Sequence, residues 1–219
     1  VQILPFYVMC DESGSMAADI GGLNQALTEL HQEISTNPTI SDKTRFALIG
    51  FSTEANELQQ LVDLGDIDEL PALEASGLTS FGNAFQTLHR SIERDVPALK
   101  AEGHDVYRPV VFFLSDGIPT DTGWDQPYQQ LLASKFRPHV IAFGIGSADR
   151  AVIAQVATFK AFMQEEDGVS AAVALKEFAA SLTRSIVRSV SGATADGLGM
   201  SLQVDDHVPG FTSVSLDKL

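Results

Sequence analysis

Ile3-Leu4-Pro5-Phe6-Tyr7-Val8-Met9-Cys10-Asp11-Glu12-Ser13-Gly14-Ser15-Met16 opens the fold and the chemistry together. The stretch from Ile3 to Met9 is nearly all apolar, short, and followed by a Gly/Ser-rich turn. Such a run reads as a strand buried on both faces, the signature of a central parallel strand. The polar residues then come in an Asp-x-Ser-x-Ser spacing. The glycine between the serines permits a tight turn, and the alternate spacing aims three oxygen-bearing side chains at one point.

Downstream, strands and helices alternate. Ile20, Leu23, Leu27, Leu30 and Ile34 recur at helical spacing, and Asn37-Pro38 ends that helix. Arg45 to Phe51 is a second apolar strand, and Glu57 to Val62 is a third, more polar and suited to an edge. Phe81, Phe85, Leu88 and Ile92 mark a helix expected to stop before Pro97. Strands follow at Val110 to Leu114, Val140 to Ile145 and Ala161 to Met163. Helices are expected at Tyr128 to Phe136, around Val152 to Val156, and at Leu175 to Ile186. This alternation predicts an α/β fold with a Rossmann-like, doubly wound, mostly parallel central sheet and helices on both faces. The expected organisation is one domain over residues 1–190 and a C-terminal extension over residues 191–219. In that extension Gly199 to Val204 and Phe211 to Leu216 alternate like short strands. It is expected to form a short hairpin, clasp a partner, or lie loosely on the domain.

The chain has 219 residues, with 14 Lys+Arg against 29 Asp+Glu, a net charge of −15. A chain so acidic is a poor match for nucleic acid, whose phosphates need Lys and Arg, or for anionic lipid. It favours cations, metal ions included. One cysteine, Cys10, excludes an internal disulfide and a thiolate zinc site, and it is expected to be buried and inert. His31, His89, His104, His139 and His207 show no metal-ligand spacing. No apolar run is long enough to span a bilayer, so a cytoplasmic protein is expected. Glu165-Glu166-Asp167 and Asp205-Asp206 read as solvated acidic faces.

Three segments supply oxygen at the expected carboxyl edge of the sheet, where open α/β sheets place their sites. They are Asp11-Glu12-Ser13-Gly14-Ser15-Met16, then Gly77-Leu78-Thr79-Ser80-Phe81-Gly82 opening a helix, and Leu114-Ser115-Asp116-Gly117-Ile118-Pro119-Thr120-Asp121. Oxygen-only donors suit hard cations: Mg²⁺ foremost, then Mn²⁺ or Ca²⁺. Each segment also has an ordinary structural reading. Asp11, Ser13 and Ser15, like Thr79, suit helix N-caps, and Asp116 before a glycine suits a turn. Thr120 and Asp121 read as loop residues supporting the turn. Glu12 is expected on the solvated surface or beside the site, tuning partner preference.

Taken together these residues resemble the von Willebrand factor A family. Its metal-ion-dependent adhesion site reads Asp-x-Ser-x-Ser, then a loop Thr, then a strand-end Asp, matched here by Asp11, Ser13, Ser15, Thr79 and Asp116. The Phe6 to Met16 opening and the Ser115 to Asp121 run look most like bacterial intracellular members of the tellurite-resistance type. The resemblance implies a sheet with Ile3–Met9 in the middle and Glu57–Val62 as an antiparallel edge. It implies a metal bound directly by the serines, with the two aspartates acting largely through water. It also implies a protein partner that supplies an Asp or Glu to the metal, in a stress-response setting beside kinase- or phosphatase-like proteins. In some relatives the final helix slides when the site is engaged.

An interaction module rather than an enzyme is therefore expected. A metal-dependent phosphohydrolase remains an alternative, although Ser13 stands where haloacid-dehalogenase-like enzymes need a second acid. Phosphate-loop, dinucleotide and nucleophile-elbow motifs are missing from the sequence. A scaffold whose metal is purely structural is the other alternative.

Overall fold

β1 (Gln2–Asp11) lies at the centre of the sheet in the computed structural model, which describes residues 1–165, 170–191 and 200–215. Every residue from Ile3 to Asp11 is buried. Leu4, Phe6, Val8 and Cys10 enter one core, and Tyr7 and Met9 enter the other, following the two-residue period of a strand. A strand apolar on both faces needs covering on both. α1 (Ile20–Ser35) and α6 (Ala171–Ser191) cover the first face through Leu23, Leu27, Phe178 and Leu182. α3 (Phe81–Ala101), α4 (Asp125–Ala133) and α5 (Arg150–Val156) cover the second through Phe85, Leu88, Tyr128 and Ile153.

The remaining strands are β2 (Thr44–Phe51), β3 (Ala55–Val62), the short β4 (Asp105–Val106), β5 (Val110–Ser115), β6 (His139–Gly144), β7 (Lys160–Gln164) and β8 (Phe211–Val214). Their order is β3-β2-β1-β5-β6-β7-β8, with β4 against the start of β1. The five strands from β2 to β7 along this order pair in parallel, and β3 closes one edge antiparallel, as expected. From β1 the chain first builds outward to β2 and β3, and later fills the other side with β5. The β1/β5 boundary is thus the point where strand order reverses, the usual place for a ligand crevice. Register levels the two strand ends, since Cys10 lies opposite Leu114.

Some expectations change. α3 runs through Pro97 to Ala101 instead of stopping before it. An interior proline costs about 3 kcal/mol, but Val96 and Leu99 on either side are buried, and each buried aliphatic side chain returns about 1.5–3 kcal/mol. After α1, Pro38 opens a further single turn, α2 (Pro38–Ser41), at a helix start where proline is tolerated.

Residues 200–215 lie on the domain. Ser185 Oγ donates to the Gln203 carbonyl at 2.6 Å, and Gln203 N donates to Ser189 Oγ at 2.9 Å. The stretch expected as a strand at Gly199 to Val204 carries no strand over 200–204, and Gly199 lies outside the described residues. β8 covers the first four residues of the second, pairing antiparallel with β7; Leu216 lies outside the described residues. Asp205 is not solvated. It is buried and accepts from Arg184 Nε at 2.7 Å and Arg188 Nη1 at 2.5 Å, which ties the segment to α6. In the other acidic run Glu165 is exposed, and Glu166 and Asp167 lie outside the described residues.

Phe211 is 1% exposed and meets the Phe143 ring edge-on at 5.3 Å. F211A is expected to lower the free energy of urea unfolding by about 3–5 kcal/mol. A segment lying loosely on the surface would change it by less than about 0.5 kcal/mol.

Candidate metal site

Asp11 ends β1 with no exposed surface. Its Oδ1 accepts from Ser13 N at 2.8 Å, an Asx turn that bends the chain off the sheet. Its Oδ2 accepts from Ser115 Oγ, at the end of β5, at 2.6 Å. The turn then tightens into a 3₁₀ segment, Gly14–Ala18. This carries Ser15 Oγ to 3.0 Å from Ser13 Oγ. Ser15 Oγ donates to Asp116 Oδ1 at 2.8 Å, and Ser13 Oγ lies 3.5 Å from the same oxygen. Thr79 closes the group. A methyl group built on Gly117 would stand 3.4 Å from Thr79 Oγ1 and 3.9 Å from Asp11 Oδ2. The β5 loop at Gly117 thus passes within van der Waals reach of both. Asp11, Ser13, Ser15, Thr79 and Asp116 are thus brought to one place from three segments.

The helix-cap readings of Ser13 and Thr79 are not what the structure uses. Ser13 stands before the 3₁₀ segment but makes no side-chain cap bond. The cap of α3 is Ser80, not Thr79. The Asp116 carboxylate faces the serines, while its backbone carbonyl accepts from Ser147 Oγ.

Two clamps hold the three segments in register. Thr120 N donates to the Thr79 carbonyl at 2.8 Å, and Thr79 N donates to Thr120 Oγ1 at 3.2 Å. Asp121 accepts from Ser80 Oγ, Phe81 N and Gly82 N at 3.1, 3.0 and 2.7 Å. The β5 loop thereby caps α3 from outside and satisfies the free amides of its first turn. Glu12 supplies the second clamp and is not on the surface, being 8% exposed. Its Oε1 accepts from Glu74 N at 2.8 Å, and its carbonyl accepts from Ser76 N at 2.7 Å. The loop leading to Thr79 is thus tied to the Asp11 turn. Room for Glu12 comes from Gly50 on β2, where any Cβ would collide with the carboxylate. The sequence signal for this burial was a glycine inside a strand, a mark of close approach.

Electrostatics sets the character of the site. Asp11, Glu12 and Asp116 are buried carboxyl groups, and none pairs with a cationic side chain among the described residues. Burial pushes the Asp116 carboxyl above the usual range; the Ser15 hydrogen bond opposes this, and the charge of Asp11 adds to it. Burial likewise raises Glu12, and raises the Cys10 thiol, which the Glu12 and Asp11 charges lift further. Cys10 is therefore inert at neutral pH.

The donors fit a hard cation. Neighbouring ligands of an octahedral ion with bonds of about 2.1 Å lie about 3.0 Å apart. The Ser13–Ser15 and Ser15–Asp116 separations of 3.0 and 2.8 Å match that edge. Among the described residues no three His, Cys, Asp or Glu side chains gather to hold a metal, so the hydroxyls are indispensable to this donor set. Ser15 is exposed, whereas Asp11, Ser13, Thr79 and Asp116 are buried. The cluster opens to solvent on the Ser15 side.

A mostly parallel sheet with this oxygen cluster at its strand-order reversal defines a class. The sequence model of the von Willebrand factor type A domain matches residues 6–180, and the chain belongs to that family. No curated protein matches the chain in sequence. Solved structures share its fold. Proximal thread matrix protein 1 from the mussel byssus is 19% identical, with a TM-score of 0.61 over 85% of this chain and 48% of that one. A von Willebrand factor type A protein from Catenulispora acidiphila is 14% identical, with a TM-score of 0.59 over 85% and 43%. The pilus adhesin SpaC from Lactobacillus rhamnosus GG is 14% identical, with a TM-score of 0.66 over 86% and 30%. The chain spans less than half the length of each. Among the described residues no helix is long and apolar enough to cross a membrane.

D121A is expected to lower stability by about 1–2 kcal/mol through loss of the α3 cap. It is also expected to free the Thr79 loop, seen as faster amide exchange at residues 78–82. Unchanged exchange there would show that Thr120 holds the loop alone.

Proposed function

We propose that this protein is a divalent-metal-dependent protein-interaction module. Asp11, Ser13, Ser15, Thr79 and Asp116 would hold Mg²⁺, or Mn²⁺ or Ca²⁺ in its place. The observation that carries this reading is the meeting of two buried, unpaired carboxylates with hydroxyls at ligand spacing. Buried charges are paired or coordinate metals. A related structure lends support: another form of the mussel protein, 18% identical with a TM-score of 0.61, is described as having a zinc-occupied MIDAS motif. The all-oxygen donor set here favours a harder ion than zinc.

The roles divide by chemistry. Ser13, Ser15 and Thr79 offer neutral oxygens, which leave the ion strongly electrophilic. Asp11 and Asp116 supply the negative charge. Asp11, held by Ser13 N and Ser115 Oγ, is fixed in orientation. Bound there, the ion would supply a Lewis-acid site for a carboxylate from a partner's Asp or Glu. Ser15, on the open side, borders the approach. The tellurite-resistance-type resemblance of the sequence supports a cytoplasmic stress-response or signalling setting, with kinase- or phosphatase-like proteins as partners.

A decisive variant is D116N, which keeps the shape and removes the charge. A carboxyl with a raised folded-state pKa stabilises the fold only while protonated, and that contribution is lost as pH rises. At pH 7 without metal, D116N is therefore expected to be more stable than wild type. Adding Mg²⁺ at a hundred times its Kd should stabilise wild type by about 2.7 kcal/mol and leave D116N unchanged in thermal unfolding. Capture of partner proteins should be lost in EDTA and in D116N. Capture indifferent to both would refute the metal-bridged reading. A wild type unfolded by EDTA would assign the ion a structural role.

A further inference from the structure

Among the described residues the large apolar side chains left exposed are Val1, Leu78, Ile118, Phe159 and Val173. Two of these five flank the candidate site. Leu78, 59% exposed, immediately precedes Thr79, and Ile118, 57% exposed, immediately follows Gly117, where a Cβ would stand 3.4 Å from Thr79 Oγ1 and 3.9 Å from Asp11 Oδ2. The loops bearing them run side by side, joined by the Thr79 and Thr120 backbone and hydroxyl bonds. Backbone bonds hold the chain at or beside each residue. Leu78 N is held by Thr53 Oγ1 at 3.0 Å, and Gly117 N by Ser115 Oγ at 3.2 Å. The loops bury the polar donors and turn these two aliphatic side chains outward.

We infer that Leu78 and Ile118 form an apolar rim that selects a partner segment whose Asp or Glu is flanked by aliphatic residues. This rests on the metal-bridged docking proposed above. The physical case begins with charge. At −15 the chain repels a partner segment that is simply acidic, so a lone carboxylate gains little beyond its bond to the ion. Aliphatic neighbours change that balance. Their contact with Leu78 and Ile118 removes apolar surface from water. It also excludes water around the carboxylate, and polar interactions strengthen as the local dielectric falls. Buried polar contacts ringed by water-excluding groups are the common anatomy of binding hot spots. An acidic segment rich in further charges would desolvate those charges against two aliphatic groups and be rejected.

The test uses the full chain and three synthetic peptides that differ only around one central position: Leu-Glu-Leu, Ser-Glu-Ser, and Leu-Gln-Leu. Binding is followed by NMR with Mg²⁺ and with EDTA, for wild type, L78S and I118S, and Mg²⁺ affinity is measured separately by calorimetry. The expected result is at least about tenfold tighter binding of Leu-Glu-Leu than of Ser-Glu-Ser, seen only with Mg²⁺. L78S and I118S should each erase most of that preference while keeping wild-type Mg²⁺ affinity. Equal, Mg²⁺-dependent binding of both glutamate peptides, or a preference unchanged in both variants, overturns the rim and leaves the metal-bridged reading intact. Binding of Leu-Gln-Leu as tight as Leu-Glu-Leu, a preference that survives EDTA, or no binding of any peptide overturns both. Self-association in Mg²⁺ that L78S abolishes would assign the rim to a second copy of this chain and overturn the inference.

Discussion

The central constraint is that two adjacent parallel strands, β1 and β5, deliver carboxylates to the same edge. Asp11 ends a strand buried on both faces, and Asp116 follows another. Neither can retreat into solvent without pulling its strand out of the core. The apolar residues behind them, from Phe6 and Phe112 to Met9 and Phe113, are fully buried. The large hydrophobic contribution of those strands therefore stabilises an edge whose charges repel each other. Serine hydroxyls partly offset the repulsion by donating to Asp11 and Asp116. On the proposed reading, a bound cation would offset the remainder.

Holding three loops together is a separate problem, solved with backbone-directed bonds. Thr120 and Asp121 join the β5 loop to the start of α3, and Glu12 joins the β1 turn to the loop before Thr79. These side chains leave the cluster's own oxygens free. Asp121 also takes up the free amides at the α3 N-terminus, so the positive end of that helix is neutralised away from the cluster. The opposite end of the molecule is tied in another way. There Asp205 bridges Arg184 and Arg188 of α6, and Lys160 of β7 reaches Asp206, so the last described segment joins the sheet to the helix that covers it.

Much of this was legible in the sequence because it depends on local pattern. Continuous apolar runs at Ile3–Met9 and Val110–Leu114 mark strands covered twice, and the Asp11-x-Ser13-x-Ser15 spacing marks the turn. What stayed hidden depends on partners distant in the chain. Glu12 looks like a surface acid until Gly50, 38 positions on, is seen to leave it room. Asp205 looks solvated until two arginines of α6 close around it. Pro97 looks like a stop because helix propensity is local, whereas the burial of Val96 and Leu99 is tertiary. Thr120 and Asp121 were legible as turn supports but not as the cap of a helix that starts 40 residues earlier.

Acidity and metal-bridged docking are compatible because they act over different distances. At physiological salt, repulsion between exposed charges fades beyond about 8 Å, while coordination acts within about 2–3 Å. On the proposed reading, the charge of the chain slows encounter with any acidic partner, and the affinity gained after encounter resides in slow dissociation. Selectivity then has two independent sources. General repulsion discriminates against partners carrying many negative charges, and the aliphatic groups beside Thr79 and Gly117 discriminate against partners whose single carboxylate arrives in a polar setting. A basic interaction face would have relaxed the first, since it would attract acidic segments indiscriminately. The scarcity of Lys and Arg in this chain is therefore consistent with a site that draws its positive charge from one exchangeable ion rather than from the protein itself.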